Sequence, residues 1–203
     1  TSSDREAVDE DGWAFRRGGT AVGRAVHGVL ETIDLRGSAP IDEDAVATLA
    51  SRFAVAENIP DAADTVAELA QSALGSKALR EARASGRLWR EVPVVAPVGD
   101  RLVEGYVDLL YETADGDLVV VDWKTDRARS ESEIDAALGR YRLQGAGYAL
   151  AVATVTGRPV NCCRFVFCRP GRAVERDIVD LEAAVGEARS LLGDTGGGLG
   201  PSP

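Results

Sequence analysis

The sequence predicts an α/β domain, a mixed sheet flanked by helices with a helical part ahead of it. Three observations carry that reading. Apolar residues recur at a helical period early in the chain, at Val22, Val26, Val29, Leu30 and Ile33. After Gly86 the texture turns to β-branched and alternating runs. A long helical stretch then separates three such runs from two more, the succession expected of an α/β sheet.

The elements follow in order. Residues 1–19 read as a flexible tail, polar and acidic over the first twelve. A helix runs from Thr20 to Asp34 and is ended by Gly37 and Pro40. Further helices are predicted at about 42–57, 61–74 and 76–84, with Asp61 as an N-cap. Together 20–86 make the helical N-terminal part. The core spans 87–192. Its first strands are 87–97, 101–112 and 117–123, joined by turns at Gly99-Asp100 and Ala114-Asp115-Gly116. The helix 131–155 ends at Gly157 and Pro159, and strands near 160–168 and 172–179 and a helix near 181–192 complete the core. Residues 193–203, with Gly-Gly-Gly-Leu-Gly-Pro-Ser-Pro, read as a linker-like tail.

Composition excludes several classes. At 203 residues and 45% hydrophobic content the chain can bury a sizeable core and is not disordered throughout. No apolar run approaches the ~18 residues of a membrane span and no signal peptide opens the chain, so a cytoplasmic protein without a membrane partner is expected. It begins at Thr1 and contains no methionine, as a piece of a longer polypeptide would. The net charge of −10 argues against nucleic acid on its own. Its distribution softens that conclusion, because residues 1–75 hold 6 basic and 14 acidic side chains while the remainder holds 17 and 19. Arginines gather at Arg127, Arg129, Arg140 and Arg142, either a solvated helix face or a phosphate contact. The three cysteines, Cys162, Cys163 and Cys168, fall on a predicted strand and read as reduced, buried small hydrophobes.

The chemistry-bearing residues cluster at strand ends. Val119-Val120-Val121-Asp122-Trp123-Lys124 puts a carboxylate and an ammonium on one face of a strand, with Trp123 on the other. Alone, the tripeptide reads equally well as a solvated ion pair. Asp108 shifts the balance, since it interrupts the apolar strand Gly105-Tyr106-Val107-Asp108-Leu109-Leu110. A three-residue turn with Gly116 left-handed sets 108 opposite 122. Two carboxylates ~5 Å apart repel unless one is protonated or a cation bridges them. The pair therefore suits a divalent metal with Lys124 near its bound water. Only Lys77 and Lys124 are lysines among 23 basic residues, so a compact ammonium at 124 is a marked choice.

Gly105-x-x-Asp108 followed by Asp122-x-Lys124 resembles the active-site pattern of the PD-(D/E)XK nucleases, most of all the RecB-like nuclease domain that ends bacterial RecB- and AddA-type helicase–nucleases. The helix around His27, the run Glu91-Val92-Pro93 and the helix Gln144-x-x-x-Tyr148 are similar to further motifs of that domain. The resemblance covers about 20–180. It implies a PD-(D/E)XK core and a metal-dependent deoxyribonuclease of double-strand-break repair and recombination, exonuclease before endonuclease. By the same resemblance His27, Asp108, Asp122 and the Trp123 carbonyl would hold Mg²⁺ or Mn²⁺, with Lys124 assisting the attacking water. Gln144 and Tyr148 would support the site or touch the DNA backbone; spacing alone also allows them simply to pack the helix on the sheet. A lone histidine on an amphipathic helix reads as structural by itself. Glu31 and Glu91 receive no assignment. The partners implied are DNA with single-stranded ends, a helicase motor ahead of Thr1 in the full chain, and a second helicase–nuclease subunit. No Gly-x-x-x-x-Gly-Lys-Ser/Thr loop is present, so no ATP motor lies in these residues. The alternative is a catalytically silent module of the same fold that guides DNA or docks a partner.

Overall fold

The computed structural model describes residues 12–14, 19–99, 101–126 and 130–193. The sequence features at 1–11, 15–18, Asp100, Arg127, Arg129 and 194–203 lie outside the described residues.

Most helices begin at a side chain that takes over an unpaired backbone N–H. Thr20 Oγ1 accepts from Gly23 N at the head of α1 (Ala21–Thr32), and Asp42 does the same for α2 (Glu43–Ala56). The third, α3 (Ala63–Leu74), corrects the expected role of Asp61: it has no side-chain cap, and Asp61 lies inside a 3-10 turn, Pro60–Ala62, that leads into the helix. Pro60 opens that turn with its φ already set and no N–H to satisfy. Ser76 caps α4 (Lys77–Ser85), Ser130 and Glu133 form a reciprocal capping box on α5 (Glu131–Thr156), and Asp180 caps α6 (Leu181–Leu191).

Among the described residues six strands form one mixed sheet: β1 (Gly12–Ala14), β2 (Leu88–Val98), β3 (Arg101–Glu112), β4 (Leu118–Lys124), β5 (Val160–Phe167) and β6 (Val174–Asp177). The path runs β1-β3-β4-β5-β6, and β2 pairs along the opposite edge of β3. β1 falls within the segment that composition assigns to a tail. It pairs in parallel with Leu102–Glu104, a contact some 90 residues distant that three residues cannot announce through periodicity.

The β3–β4 turn has the predicted length. Thr113 N donates to Asp117 O at 2.9 Å, and Gly116 sits at φ 86°. The resulting register pairs Leu109 with Val121, one step short of 108 and 122. There the strands fork. β4 leaves β3 and runs parallel to β5, Asp122 against Phe165 and Lys124 against Phe167. The 26-residue α5 makes the crossover this parallel pair requires.

Each face of the sheet carries its own core. Leu109, Tyr111, Val119, Val121 and Trp123 pack with α1–α4, whereas Leu110, Leu118, Val120, Phe165 and Phe167 pack with α5 and α6. Along β4 the alternation is clean, so Asp122 and Lys124 share the α5 side. Cys163 and Cys168 are buried and Cys162 half-buried, all three as thiols. Glycines set the spacing of the helices. A β-carbon on Gly28 would stand 2.5 Å from the Phe53 ring of α2, and one on Gly145 would stand 2.7 Å from Cys163 Sγ of β5. No helix among the described residues is long and apolar enough to cross a membrane.

Candidate active site

The site forms where β3 and β4 part, between α1 and α5. Asp108 stands at the fork and is buried. Its Oδ2 accepts the Trp123 N–H at 2.8 Å, so a side chain takes the bond where backbone pairing has stopped. Its Oδ1 lies 3.2 Å from His27 Nδ1. The other ring nitrogen of His27, Nε2, is 3.1 Å from the Trp123 carbonyl. His27 thus joins α1 to both arms of the fork. Gly23, one turn earlier, allows that approach: a β-carbon there would stand 2.6 Å from Thr125 Oγ1, just beyond β4.

The second half of the site hangs from β4 toward α5. Lys124 Nζ is 2.9 Å from Asp122 Oδ2 and donates to Gln144 Oε1 at 2.8 Å. The Asp122 contact lacks hydrogen-bond geometry, so this buried oxygen keeps unsatisfied acceptor capacity. Gln144 in turn donates from Nε2 to Tyr148 OH at 3.4 Å. Gln144 and Tyr148 are buried one turn apart on α5, the shared face that their spacing predicts.

Electrostatics separates the two acids. Burial disfavours the Asp108 charge, but His27, the Trp123 N–H and Lys124 outweigh it and hold its carboxyl below the usual range. Asp122 has weaker support. Burial, reinforced by the charge of Asp108, pushes it up to about 6 despite Lys124. Burial also works against the His27 imidazolium, yet Asp108, Asp122 and Glu91 together raise it to about 9. An imidazolium here supplies the positive charge that the acids require.

Glu91 is one of the two acids, with Glu31, that the sequence leaves unassigned. Its carboxylate, the Asp108 carboxylate and a His27 ring nitrogen lie within 4.8 Å of one another. The β2–β3 pairs Arg90–Leu109 and Val92–Val107 flank it, so Glu91 falls opposite Asp108, at φ 49°. Left-handed backbone at a non-glycine residue costs of order 1–3 kcal/mol and persists where surroundings enforce it. Arg90 does so in part. Its Nη1 donates to Leu30 O at 3.0 Å and Ile33 O at 2.6 Å, tying the end of α1 to the strand beside Glu91. The signal was in the sequence, because a two-residue Gly99-Asp100 turn already sets 91 opposite 108.

A nitrogen and two carboxylates, from His27, Glu91 and Asp108, lie close enough to suit a divalent cation; Asp122 falls outside that group and faces Lys124, with one of its own oxygens unsatisfied. Of the arginines named for phosphate contact, Arg142 pairs with Glu187, and Arg140 lies 6.0 Å from the Tyr141 ring.

Acids and a lysine at the end of a forked sheet are what a metal-assisted phosphodiesterase needs, and the chain belongs to the PD-(D/E)XK nuclease superfamily: the model of that family matches residues 11–190. Members of this superfamily generally depend on divalent metal. Among curated proteins, the chain is 36% identical over 161 residues to the A-type subunit of the ATP-dependent helicase/nuclease of Desulforudis audaxviator, covering 70% of this chain and 12% of that one. It is 31% identical over 184 residues to the protein of the same name from Bacillus velezensis, covering 79% and 15%. The chain therefore spans about an eighth of the length of these relatives. Among solved structures, that of SSO0001 overlays with a TM-score of 0.39 at 16% identity, covering 86% of this chain and 85% of that one, a likeness too loose to bear on function.

Proposed function

We propose that this chain is the nuclease module of an ATP-dependent helicase–nuclease, hydrolysing phosphodiester bonds of DNA during break repair in the cytoplasm. The observation that carries this reading is the fork of β3 and β4, where the buried Asp108 pairs with His27 and the buried Asp122 pairs with Lys124. The likeness to the A-type subunits of two helicase/nucleases supports the context: DNA ends as substrate, a motor in the same polypeptide, and a second subunit.

His27, Asp108 and Asp122 would hold Mg²⁺ or Mn²⁺, aided by the Trp123 carbonyl, with Glu91 as an adjoining carboxylate. A nitrogen donor favours Mn²⁺ over Mg²⁺. Bound there, the cation supplies Lewis acidity and an acidified water. The chain's own groups do the rest. Asp108 keeps its negative charge and fixes the His27 ring through Nδ1. Lys124, steered by Gln144, presents an ammonium that orients the attacking water and offsets charge gathering on the phosphate. Tyr148 supports Gln144.

The test is a titration of Mn²⁺ and Mg²⁺ into the chain, read by thermal unfolding and by cleavage of single- and double-stranded DNA. The nuclease reading expects metal to raise the melting temperature and to support cleavage, and expects Asp108→Asn and Asp122→Asn to lose both. Metal-independent melting with intact DNA would favour the silent module instead.

A further inference from the structure

Tyr141 is absorbed by none of the roles above, yet it touches the catalytic lysine. It lies on α5 three residues before Gln144 and seven before Tyr148, hence on the same helix face. Lys124 Nζ stands 3.9 Å from the centre of the Tyr141 ring, within cation–π range. The Tyr141 hydroxyl donates to Asp126 Oδ2 at 2.6 Å, two residues beyond Lys124. Phe165 of β5 stands beside the ring, with centroids 5.7 Å apart, and its own centre is 5.5 Å from Lys124 Nζ. The same ring therefore contacts the ammonium while its hydroxyl holds the chain that leaves β4.

We infer that Tyr141 is a positioning residue for Lys124: its ring supplies the wall against which the ammonium rests, Asp122 attracts its charge, and Gln144 directs an N–H bond. Polar contacts restrain a lysine only loosely, because its four-carbon stem has many rotamers. The Tyr141 face removes that freedom on the α5 side. The side chain of Lys124 is only 12% exposed, so water does little to dilute the contact. The effect on cleavage rests on the reading of Lys124 as the group that prepares the water; the positioning itself does not.

The chain offers a direct readout, because Lys77 and Lys124 are its only lysines. Labelling lysine with ¹³C at the ε-carbon gives two signals. Lys77, 62% exposed, serves as the internal reference. In the metal-free 203-residue chain the Lys124 ε-protons should lie upfield of those of Lys77, displaced by the ring current of Tyr141. Tyr141→Phe keeps the ring and should keep that displacement. Tyr141→Leu should remove most of it, leaving the smaller effect of Phe165, lower kcat about tenfold and leave KM and Mn²⁺ affinity within about twofold. Coincident signals in the wild-type chain overturn the proposal outright, even if Tyr141→Leu fails to fold. So does a Tyr141→Leu chain that keeps the full displacement or cleaves at the wild-type rate. Should the wild-type chain cleave no DNA with any metal, the nuclease reading falls, and the spectra alone still decide whether Tyr141 holds Lys124.

Discussion

Glu91 and Asp108 face each other across the β2–β3 hairpin, at the place where β2 turns left-handed. A carboxylate set against a buried carboxylate on strained backbone is costly twice over, through repulsion and through φ. Replacing Glu91 by Gly should relieve the backbone and leave the chain about 1 kcal/mol more stable than Glu91→Ala. Both variants should bind Mn²⁺ more weakly than the wild type. Denaturant unfolding with and without metal measures both quantities. Equal stability of the two variants would show that φ 49° carries no strain.

As ligands of the proposed cation, His27 and Asp122 should make its binding depend on pH. The folded chain raises His27 from 6.5 to about 9, so the protonated ring stabilises the metal-free fold; that contribution is complete below 6.5 and is lost as pH rises through about 9. Asp122 is raised from 3.8 to about 6, so ionising it costs stability, a cost absent below 3.8 and complete above about 6. A cation needs a neutral ring and an ionised acid. Its apparent affinity should therefore climb between pH 6 and 9, by about tenfold per unit while one proton is displaced. Melting temperatures with Mn²⁺ and with a chelator, taken at three pH values, test this. A pH-independent gap would exclude His27 as a ligand.

Lys124→Ala should reduce cleavage by about 10²–10³-fold while Mn²⁺ affinity stays level or improves slightly, since the ammonium competes with the cation for Asp122. Asp122→Ala should lose both. Calorimetric titration beside a cleavage assay separates the two, and wild-type cleavage by Lys124→Ala would strip that residue of its role.

Two glycine-to-alanine changes should have opposite signs. Gly28→Ala drives a methyl into the Phe53 ring and should cost about 1–3 kcal/mol. Gly139→Ala, exposed within α5 with open space around it, should gain about 0.5–1 kcal/mol from helix propensity. Urea melts of the two variants are sufficient.

The isolated chain should cleave poorly and only at low salt. Its net charge is −10, and phosphate-driven affinity falls steeply with salt unless many cations contact the backbone. Tight binding that survives about 200 mM salt would reveal a basic surface and remove the need for a motor to deliver the DNA.

What could be read from the sequence was whatever depends on neighbours along the chain. Gly116 gave the turn length, the turn gave the register, and the register brought 108 toward 122. Helix and strand bounds from Ala21 to Leu191 follow from periodicity and caps. Three features escaped. β1 depends on a distant partner that three residues do not encode. The fork of β3 and β4 is the second: β4 keeps β5 as a parallel neighbour to Lys124 after its pairing with β3 ends at Val121, and Asp122 faces Lys124 while Asp108 faces His27. Tyr141 carries no local signal, and only the crossover of α5 brings its ring under the ammonium.

The bond from the Trp123 amide to Asp108 makes one backbone proton a gauge of the site. An N–H that ends on a carbonyl keeps its partner whatever the site holds; this one ends on a carboxylate whose electron density changes whenever Asp108 gains a proton or a cation. The Trp123 amide resonance should therefore move during a metal titration in step with occupancy, and its hydrogen exchange should quicken as acid neutralises Asp108. Occupancy of a centre assembled from four separate stretches of chain could then be followed from a single peptide group, without substrate.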